Sequence, residues 1–146
     1  MGIARVLVIG GLLFGAVAAW NDHQRAQHHH RLLASANANG FVRVLMPNGA
    51  PPDTVLIVAP LNCPHAAAQR ADALSRSLTQ QGIPNRRDDS VQITYDRRTP
   101  GLAELLERSA AIHDGELPIV YLDGLAQGNP SASQVIAQYQ AGRASG

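Results

Sequence analysis

The stretch Leu61–Ala68, LNCPHAAA, holds the residues best suited to chemistry. Cys63 is the only cysteine in the chain of 146 residues, and Pro64 and His65 follow it directly. A cysteine reacts through its thiolate, so a reactive one needs surroundings that lower the thiol pKa from ~8.5. One cysteine excludes both an internal disulfide and a cysteine-rich zinc site. The two interpretations are a nucleophilic thiol and an unreactive one, since a free cysteine is often a small buried hydrophobe.

The composition argues against a nucleic-acid-binding protein. The net charge is only +1, and charged residues make up 16% and aromatic residues 4% of the chain. The twelve basic residues are scattered, whereas a nucleic-acid interface needs them clustered on one face. The pairs Arg86-Arg87 and Arg97-Arg98 are exceptions, but each stands beside aspartate, which predicts solvated loops.

Residues 1–20 are predicted to be a targeting or anchoring segment. The residues from Val6 to Trp20 are uncharged and mostly apolar, and a single arginine precedes them. We favour an uncleaved hydrophobic helix that anchors the chain in the inner membrane, with Trp20 at the interface. The alternative is a signal peptide with a cleavage pattern at Ala16–Ala18, which would leave a soluble periplasmic protein. Both interpretations place the rest of the chain in the periplasm.

Residues 21–40 are polar and predict a stalk, helical over 22–33, before a globular domain at 41–146. The globular part alternates β-rich and helical patterns. Strands are predicted at Phe41–Met46, Thr54–Pro60, Val91–Tyr95, Pro118–Gly124 and Leu125–Gln127, and helices at Pro64–Gln81, Thr99–His113 and from Ser131 onward. This order, β, β-α-β, α, β-β-α, predicts an α/β protein whose sheet is parallel in part.

The helix predictions depend on periodicity and on end signals. Apolar residues recur at helical spacing in the first helix, which Gly82 ends, at Ala67, Ala71, Leu74 and Leu78. In the second helix, Thr99 is the predicted cap and Pro100 the first helical residue. A capping box between Ser131 and Gln134 is predicted to begin the last helix.

Three local motifs in this order resemble the thioredoxin fold, and within it the glutaredoxin branch. NCPHA stands between the first core strand and the first helix, where that family has C-P-Y-C, and LPIVYLDG resembles a segment whose proline is cis. GNPS lies where glutaredoxins carry G-G-x-D. The resemblance covers about 60% of the chain. It implies a thioredoxin-like fold, a central mixed sheet with flanking helices, and substrate contacts from Pro64, Leu117, cis Pro118 and Gly128.

The first helix would then activate the thiol. Cys63 is predicted to cap that helix, with Pro64 in its first position, and a helix N-terminus carries about half a positive charge. Such a site lowers the pKa of a thiol. A protonated His65 nearby would add to the effect, so the predicted catalytic residues are Cys63 and His65. The amide of Leu117 could pair with an extended peptide that bears the reacting sulfur, as in the family.

The chain departs from the family pattern at four positions. Ala66 replaces the resolving cysteine, so a mixed disulfide at Cys63 would need an external thiol for release. Ala59 stands where glutaredoxins often have a basic residue, and Asn129 and Ser131 replace the second glycine and the aspartate of G-G-x-D. These changes remove parts of a glutathione site. No resident cofactor is therefore predicted, and glutathione use is disfavoured.

The histidines of the stalk do not predict a metal site. His23 and the run His28–His30 lack a second fixed cluster of ligands, and adjacent histidines have poor ligand geometry. A metal carrier that combines them with Cys63 and His65 is disfavoured, because one cysteine and two methionines supply few sulfur ligands.

Two functions follow from these patterns. The first is a membrane-tethered thiol–disulfide oxidoreductase without a resolving cysteine, which exchanges disulfides through Cys63 with a cysteine-containing envelope protein or membrane complex. The second is a redox-silent thioredoxin-fold scaffold or accessory subunit of an envelope complex, in which the stalk and the strand Phe41–Met46 form the contacts. The first is preferred because C-P-H at the start of a helix is otherwise an unexplained coincidence.

Overall fold

The computed structural model describes residues 23–24, 26–27, 30–31, 34–61 and 65–144. The chain divides into two units, residues 1–34 and residues 35–146. In the first unit the described residues between His23 and Arg31 are helical, as predicted for 22–33. The predicted hydrophobic helix at 1–20 lies outside the described residues. Among the described residues, no helix is long and apolar enough to span a membrane.

The described residues of the second unit form an α/β domain with a five-stranded mixed sheet and three helices. The strands are β1 (Val42–Arg43), β2 (Val55–Val58), β3 (Asn85–Asp88), β4 (Ile119–Leu122) and β5 (Leu125–Gly128), and the helices are α1 (Ala66–Gln80), α2 (Leu102–His113) and α3 (Ala132–Ala144). The sheet order is β1-β5-β4-β2-β3. Only β2 and β3 are parallel, and the other three pairs are antiparallel. The predicted α/β class, with a sheet that is parallel in part, and the predicted order of strands and helices are confirmed.

The sheet is built around two fully buried central strands. Every residue of β2 and β4 is buried, as the continuous apolar run at Thr54–Pro60 predicted. Because successive side chains of a strand point to opposite faces, both faces of these strands must be covered. Ile57 and Val120 face a core cluster that includes Leu74 of α1 and Val135 of α3. Helix α2 contacts β1 and β5 and supplies the buried Ile112.

The end signals of α1 and α3 are confirmed. Gly82 has a φ of +68° and follows α1, and the Ile83 N–H donates to the Leu78 carbonyl across 2.9 Å. This bond closes a Schellman motif, which satisfies carbonyls at the helix end. At α3, the Ser131 N–H donates to Gln134 Oε1 across 2.9 Å and the Gln134 N–H donates to Ser131 Oγ across 3.3 Å. These reciprocal bonds are the predicted capping box.

The predicted strand at Val91–Tyr95 is wrong. Its β-branched residues pair with no strand of the described chain, and the Thr94 N–H donates instead to the side chain of Asn48 across 3.1 Å. The strand lies earlier, at β3, and includes Arg86-Arg87, which were predicted to be in a loop. An edge strand needs one hydrogen-bonded neighbour only, so its residues can stay polar and half-exposed. The short turn after α1 places β3 beside β2 directly.

The second helix begins later than predicted. Leu102 is its first residue and Gly101 is its N-cap, with a φ of +70°, a left-handed conformation that glycine adopts without strain. Thr99 contributes only its carbonyl, which accepts from the Leu102 N–H across 3.2 Å. The predicted end at His113 is confirmed.

The segment that enters the domain is fixed to α3 by amides. Gln138 is a largely buried polar residue, and its Oε1 accepts from Asn37 Nδ2 across 2.7 Å and from Asn39 Nδ2 across 3.2 Å. The side chain of Asn37 in turn accepts from the Phe41 N–H across 3.0 Å. Residues 35–40, predicted to be stalk, thus belong to the folded unit. The predicted strand Phe41–Met46 is reduced to the two residues of β1.

Candidate functional site

The sheet brings the β2–α1 connection close to the segment that precedes β4. Val58, the last residue of β2, is the register partner of Ile119, the first residue of β4. Ala59 and Pro118, the next residues outward, therefore lie at the same end of the sheet. The connection from Ala59 to His65 leaves the sheet at this end, and in sequence it contains Cys63. The segment LPIVYLDG thus begins at the end of the sheet from which this connection departs.

The predicted cis proline is confirmed. The Leu117–Pro118 peptide bond is cis, and Pro118 is fully buried. The Pro118 carbonyl accepts from the Asn129 N–H across 2.7 Å, which continues the β4–β5 pairing by one more bond. Leu117 is half-buried at the rim of the domain. Leu117 and Pro118, two of the four predicted substrate-contacting residues, thus lie at the end of the sheet.

Helix α1 begins later than the predicted site requires. His65 is its N-cap, with extended φ and ψ of −68° and 148°, and Ala66 is the first helical residue. The predicted cap, Cys63, is two residues earlier in the chain, and Cys63 and Pro64 lie outside the described residues. Since the effect of the helix dipole is confined to about the first turn, the capping argument for the thiol is weaker than predicted.

The exposed His65 side chain makes no capping hydrogen bond. Its carbonyl accepts from the Gln69 N–H across 3.2 Å, so the backbone of His65 is fixed at the start of α1. The imidazole is therefore open to solvent two residues from the thiol in sequence. Its predicted catalytic role stays a prediction.

Arg70 is the residue at this site that the sequence patterns did not indicate. It is exposed, in the second turn of α1, and one of its terminal nitrogens donates to the Leu117 carbonyl across 2.7 Å. This bond links α1 to the residue before the cis proline. The sequence feature that could have indicated Arg70 is its place as the first basic residue of α1, one turn from Ala66 on an exposed face. The helical pattern does not, however, reveal which segment that face meets.

An open groove of ≈ 390 Å³ extends from Arg70 past Pro118 to the start of α3. Its apolar walls come from Leu74, Pro118 and Pro130, and its polar groups include Arg70 and Asn129. It adjoins both the Leu117–Pro118 segment and the first turns of α1. Its volume is within the range of small-molecule sites in proteins.

Gly128, predicted to contact substrate, has an evident structural role. A Cβ built at this position would lie 2.9 Å from the Glu116 carbonyl oxygen, closer than real Cβ atoms approach. Glycine therefore lets the end of β5 pack against the segment that leads to Pro118. The predicted contact with substrate stays a prediction.

Replacing Gly128 by alanine is expected to destabilise the domain by about 1–3 kcal/mol, because the backbone of Glu116 must move away. The measurement is the urea midpoint, followed by circular dichroism. The control is Gly142→Ala in α3, where the new Cβ meets no atom within 4 Å and the helix gains about 0.5–1 kcal/mol. Equal midpoints for the two variants would contradict the close-approach explanation.

The structure shows whether a basic side chain could stand in for the one that glutaredoxins often place at the position of Ala59. Ala59 is 1% exposed, which leaves no space for a basic side chain. Arg87 forms an ion pair with Asp72, and Arg86 lies 3.6 Å from the carboxylate of Asp88. Neither arginine of the pair is thus free to supply the missing charge.

The positions of the G-G-x-D pattern are also committed to local structure. Asn129 has a φ of +46°, and its Nδ2 donates to Glu116 Oε2 across 2.9 Å. Ser131 is used by the capping box of α3. Within the described residues, no group of three or more His, Cys, Asp or Glu side chains could hold a metal ion.

The described residues form an α/β domain in which a cis proline lies at the end of the sheet where β2 leads into the connection that contains Cys63 in sequence. Comparisons with protein-family models, with curated proteins and with solved structures found no match.

Proposed function

We propose that this chain is a membrane-tethered, thioredoxin-like protein with one thiol, which takes part in thiol–disulfide exchange on envelope proteins through Cys63. The observation that most supports this function is that the β2–α1 connection, which contains Cys63 in sequence, leaves the sheet at the end where cis Pro118 lies. The order of elements and the hairpin that follows Pro118 are compatible with a thioredoxin-like fold. The tether rests on the apolar residues from Val6 to Trp20.

The proposed reaction exchanges one disulfide bond for another. The Cys63 thiolate attacks one sulfur of a partner disulfide, a bond forms between Cys63 and that sulfur, and the other partner sulfur leaves as a thiolate. Since Ala66 offers no second thiol, a small-molecule or protein thiolate attacks the mixed disulfide and releases Cys63. Each step replaces one S–S bond by another, so no further oxidant or reductant is needed.

A redox-silent scaffold or accessory subunit of an envelope complex is the second candidate. The start of α1 at Ala66 favours it, because Cys63 precedes the N-cap by two residues and gains less from the helix dipole. The two candidates differ in one measurable property, the pKa of the thiol.

The test is the alkylation rate of Cys63 as a function of pH, with Cys63→Ser as the blank. We expect a midpoint well below ~8.5, because a thiol that exchanges disulfides reacts as the thiolate and a lowered pKa raises the thiolate fraction at neutral pH. A second variant, His65→Ala, measures whether the exposed imidazole contributes to the midpoint. A midpoint at or above ~8.5, or reaction only after unfolding, would contradict exchange chemistry and leave the scaffold.

A further inference from the structure

We propose that Arg70 selects the partner of Cys63 by binding a carboxylate on an extended peptide in the groove beside Pro118. The inference rests on the proposed exchange at Cys63 and adds the chemical class of its substrate, a cysteine-containing peptide with an acidic residue next to the reacting sulfur. Three observations support it: the unused donors of Arg70, the commitment of the other polar groups in the groove, and the apolar walls.

Most of the hydrogen-bonding capacity of Arg70 is unused within the described residues. A guanidinium has five N–H donors, and the hydrogen bond to the Leu117 carbonyl occupies one. No ion pair between described residues includes Arg70, although its side chain is exposed. The bond to Leu117 holds the guanidinium against the segment that ends in the cis proline. Its remaining donors form a fixed fork that suits a carboxylate.

The other polar side chains of the groove already have hydrogen-bond partners within the domain. The Asn129 side chain donates to Glu116 across 2.9 Å, and Ser131 is bonded to Gln134 in the capping box of α3. Among the described residues, Arg70 is therefore the charged group of this groove and the one with the most donors left. Glu116, held beside Asn129, would repel an acidic group at the α3 side, which directs a carboxylate toward α1.

The lining of the groove also suits an extended peptide. Its apolar walls, from Leu74, Pro118 and Pro130, can cover an uncharged stretch of peptide without burying a polar group alone. The Leu117 carbonyl is taken by Arg70, and none of the hydrogen bonds between described residues uses the Leu117 N–H. A peptide carbonyl can accept from that N–H while the acidic side chain reaches Arg70.

The experiment follows the reaction of the full chain with short cysteine peptides joined by a disulfide to 2-thiopyridine. The Cys63 thiolate attacks the peptide sulfur and 2-thiopyridine leaves, so its absorbance gives the rate constant. Three peptides carry Glu, Gln or Arg next to the cysteine. We expect the Glu peptide to react about fivefold faster than the Gln peptide, as for an exposed ion pair. Added salt should reduce this ratio.

Two variants separate recognition from structure. Arg70→Gln is expected to bring the Glu/Gln rate ratio close to one by slowing the Glu peptide more than the Gln peptide, and Arg70→Lys should restore part of the ratio. The matched control is Arg76→Gln, which removes the same charge from an exposed position of α1 outside the groove. This control should keep the wild-type ratio.

The outcomes are distinct. Equal rates for the three peptides on the wild-type chain would overturn the role of Arg70 and leave the proposed exchange intact. An equal slowing of all peptides by Arg70→Gln would also overturn it, because Arg70 would then only position Leu117. No reaction with any peptide would overturn the proposed function itself, and the selection of substrate with it.

Discussion

Replacing Phe41 by alanine is expected to lower the free energy of unfolding by about 3–5 kcal/mol. Phe41 is 0% exposed and belongs to the core cluster with Val55 and Val135, so the variant would leave a cavity in this cluster. Its backbone N–H and carbonyl are both bonded to Asn37. Since a domain is stable by only about 5–15 kcal/mol, the loss would be a large fraction of the total.

The measurement is a urea titration followed by far-UV circular dichroism, with the midpoint and the slope fitted separately. The matched control is Tyr95→Ala, an aromatic residue that is 51% exposed, for which we expect a change of about 0.5 kcal/mol or less. A loss below about 1 kcal/mol at Phe41 would mean that this residue does not fill the core as described.

Tyr121 is expected to make the domain sensitive to alkaline pH. Burial raises the pKa of this phenol from 10.0 to about 12, and its Oη has no hydrogen-bond partner among the described residues. The folded state therefore keeps the proton that the unfolded chain loses above pH 10. The free energy of unfolding is therefore independent of this group's titration below pH 10 and falls as pH rises from 10 to about 12, at up to about 1.4 kcal/mol per pH unit.

Tyr121→Phe isolates this contribution, because it keeps the ring and removes the titrating group. The difference in unfolding free energy between the two chains should change with pH only above 10. Below that pH the variant should be more stable by about 1 kcal/mol, since it no longer buries an unpaired hydroxyl. Parallel stability curves for the two chains between pH 9 and 12 would show that the phenol is not protected from ionisation.

The parts of the fold that the sequence predicts well are those decided by local pattern or by burial. The run at Thr54–Pro60 is apolar on both faces, so it could only be a central strand, and α1 has its apolar stripe, with Ala68 taking the place predicted for Ala67. Asp123 and Gly124 both have positive φ, as a two-residue hairpin turn needs. These signals depend on neighbouring residues only.

The sequence-based predictions are wrong where contacts between residues distant in sequence determine the secondary structure. Val91–Tyr95 has the composition of a strand, but the edge position beside β2 is already filled by β3, whose residues have none of the usual strand propensity. A parallel neighbour and the short turn after α1 impose the strand on Asn85–Asp88. Composition alone cannot report such a tertiary constraint.

The features of the candidate site also divide into those that a local motif predicts and those that depend on distant contacts. The cis form of Pro118 could be predicted because a local motif carries it, and the structure confirms it. The contact between Arg70 and Leu117 joins residues 47 positions apart, and no local pattern predicts it. Gly128 was assigned from the resemblance alone, and its approach to Glu116 became visible only once β5 was in place.

The two edge strands of the sheet disfavour self-association through strand pairing. β1 offers only two residues to an incoming strand, and β3 presents a short polar sequence that includes Arg86, Arg87 and Asp88. Short and charged edges are the features by which natural sheets resist joining edge to edge into aggregates. The proposed tether would concentrate the chain on a membrane surface. The short and charged edge strands β1 and β3 then protect the sheet against polymerising with neighbouring copies.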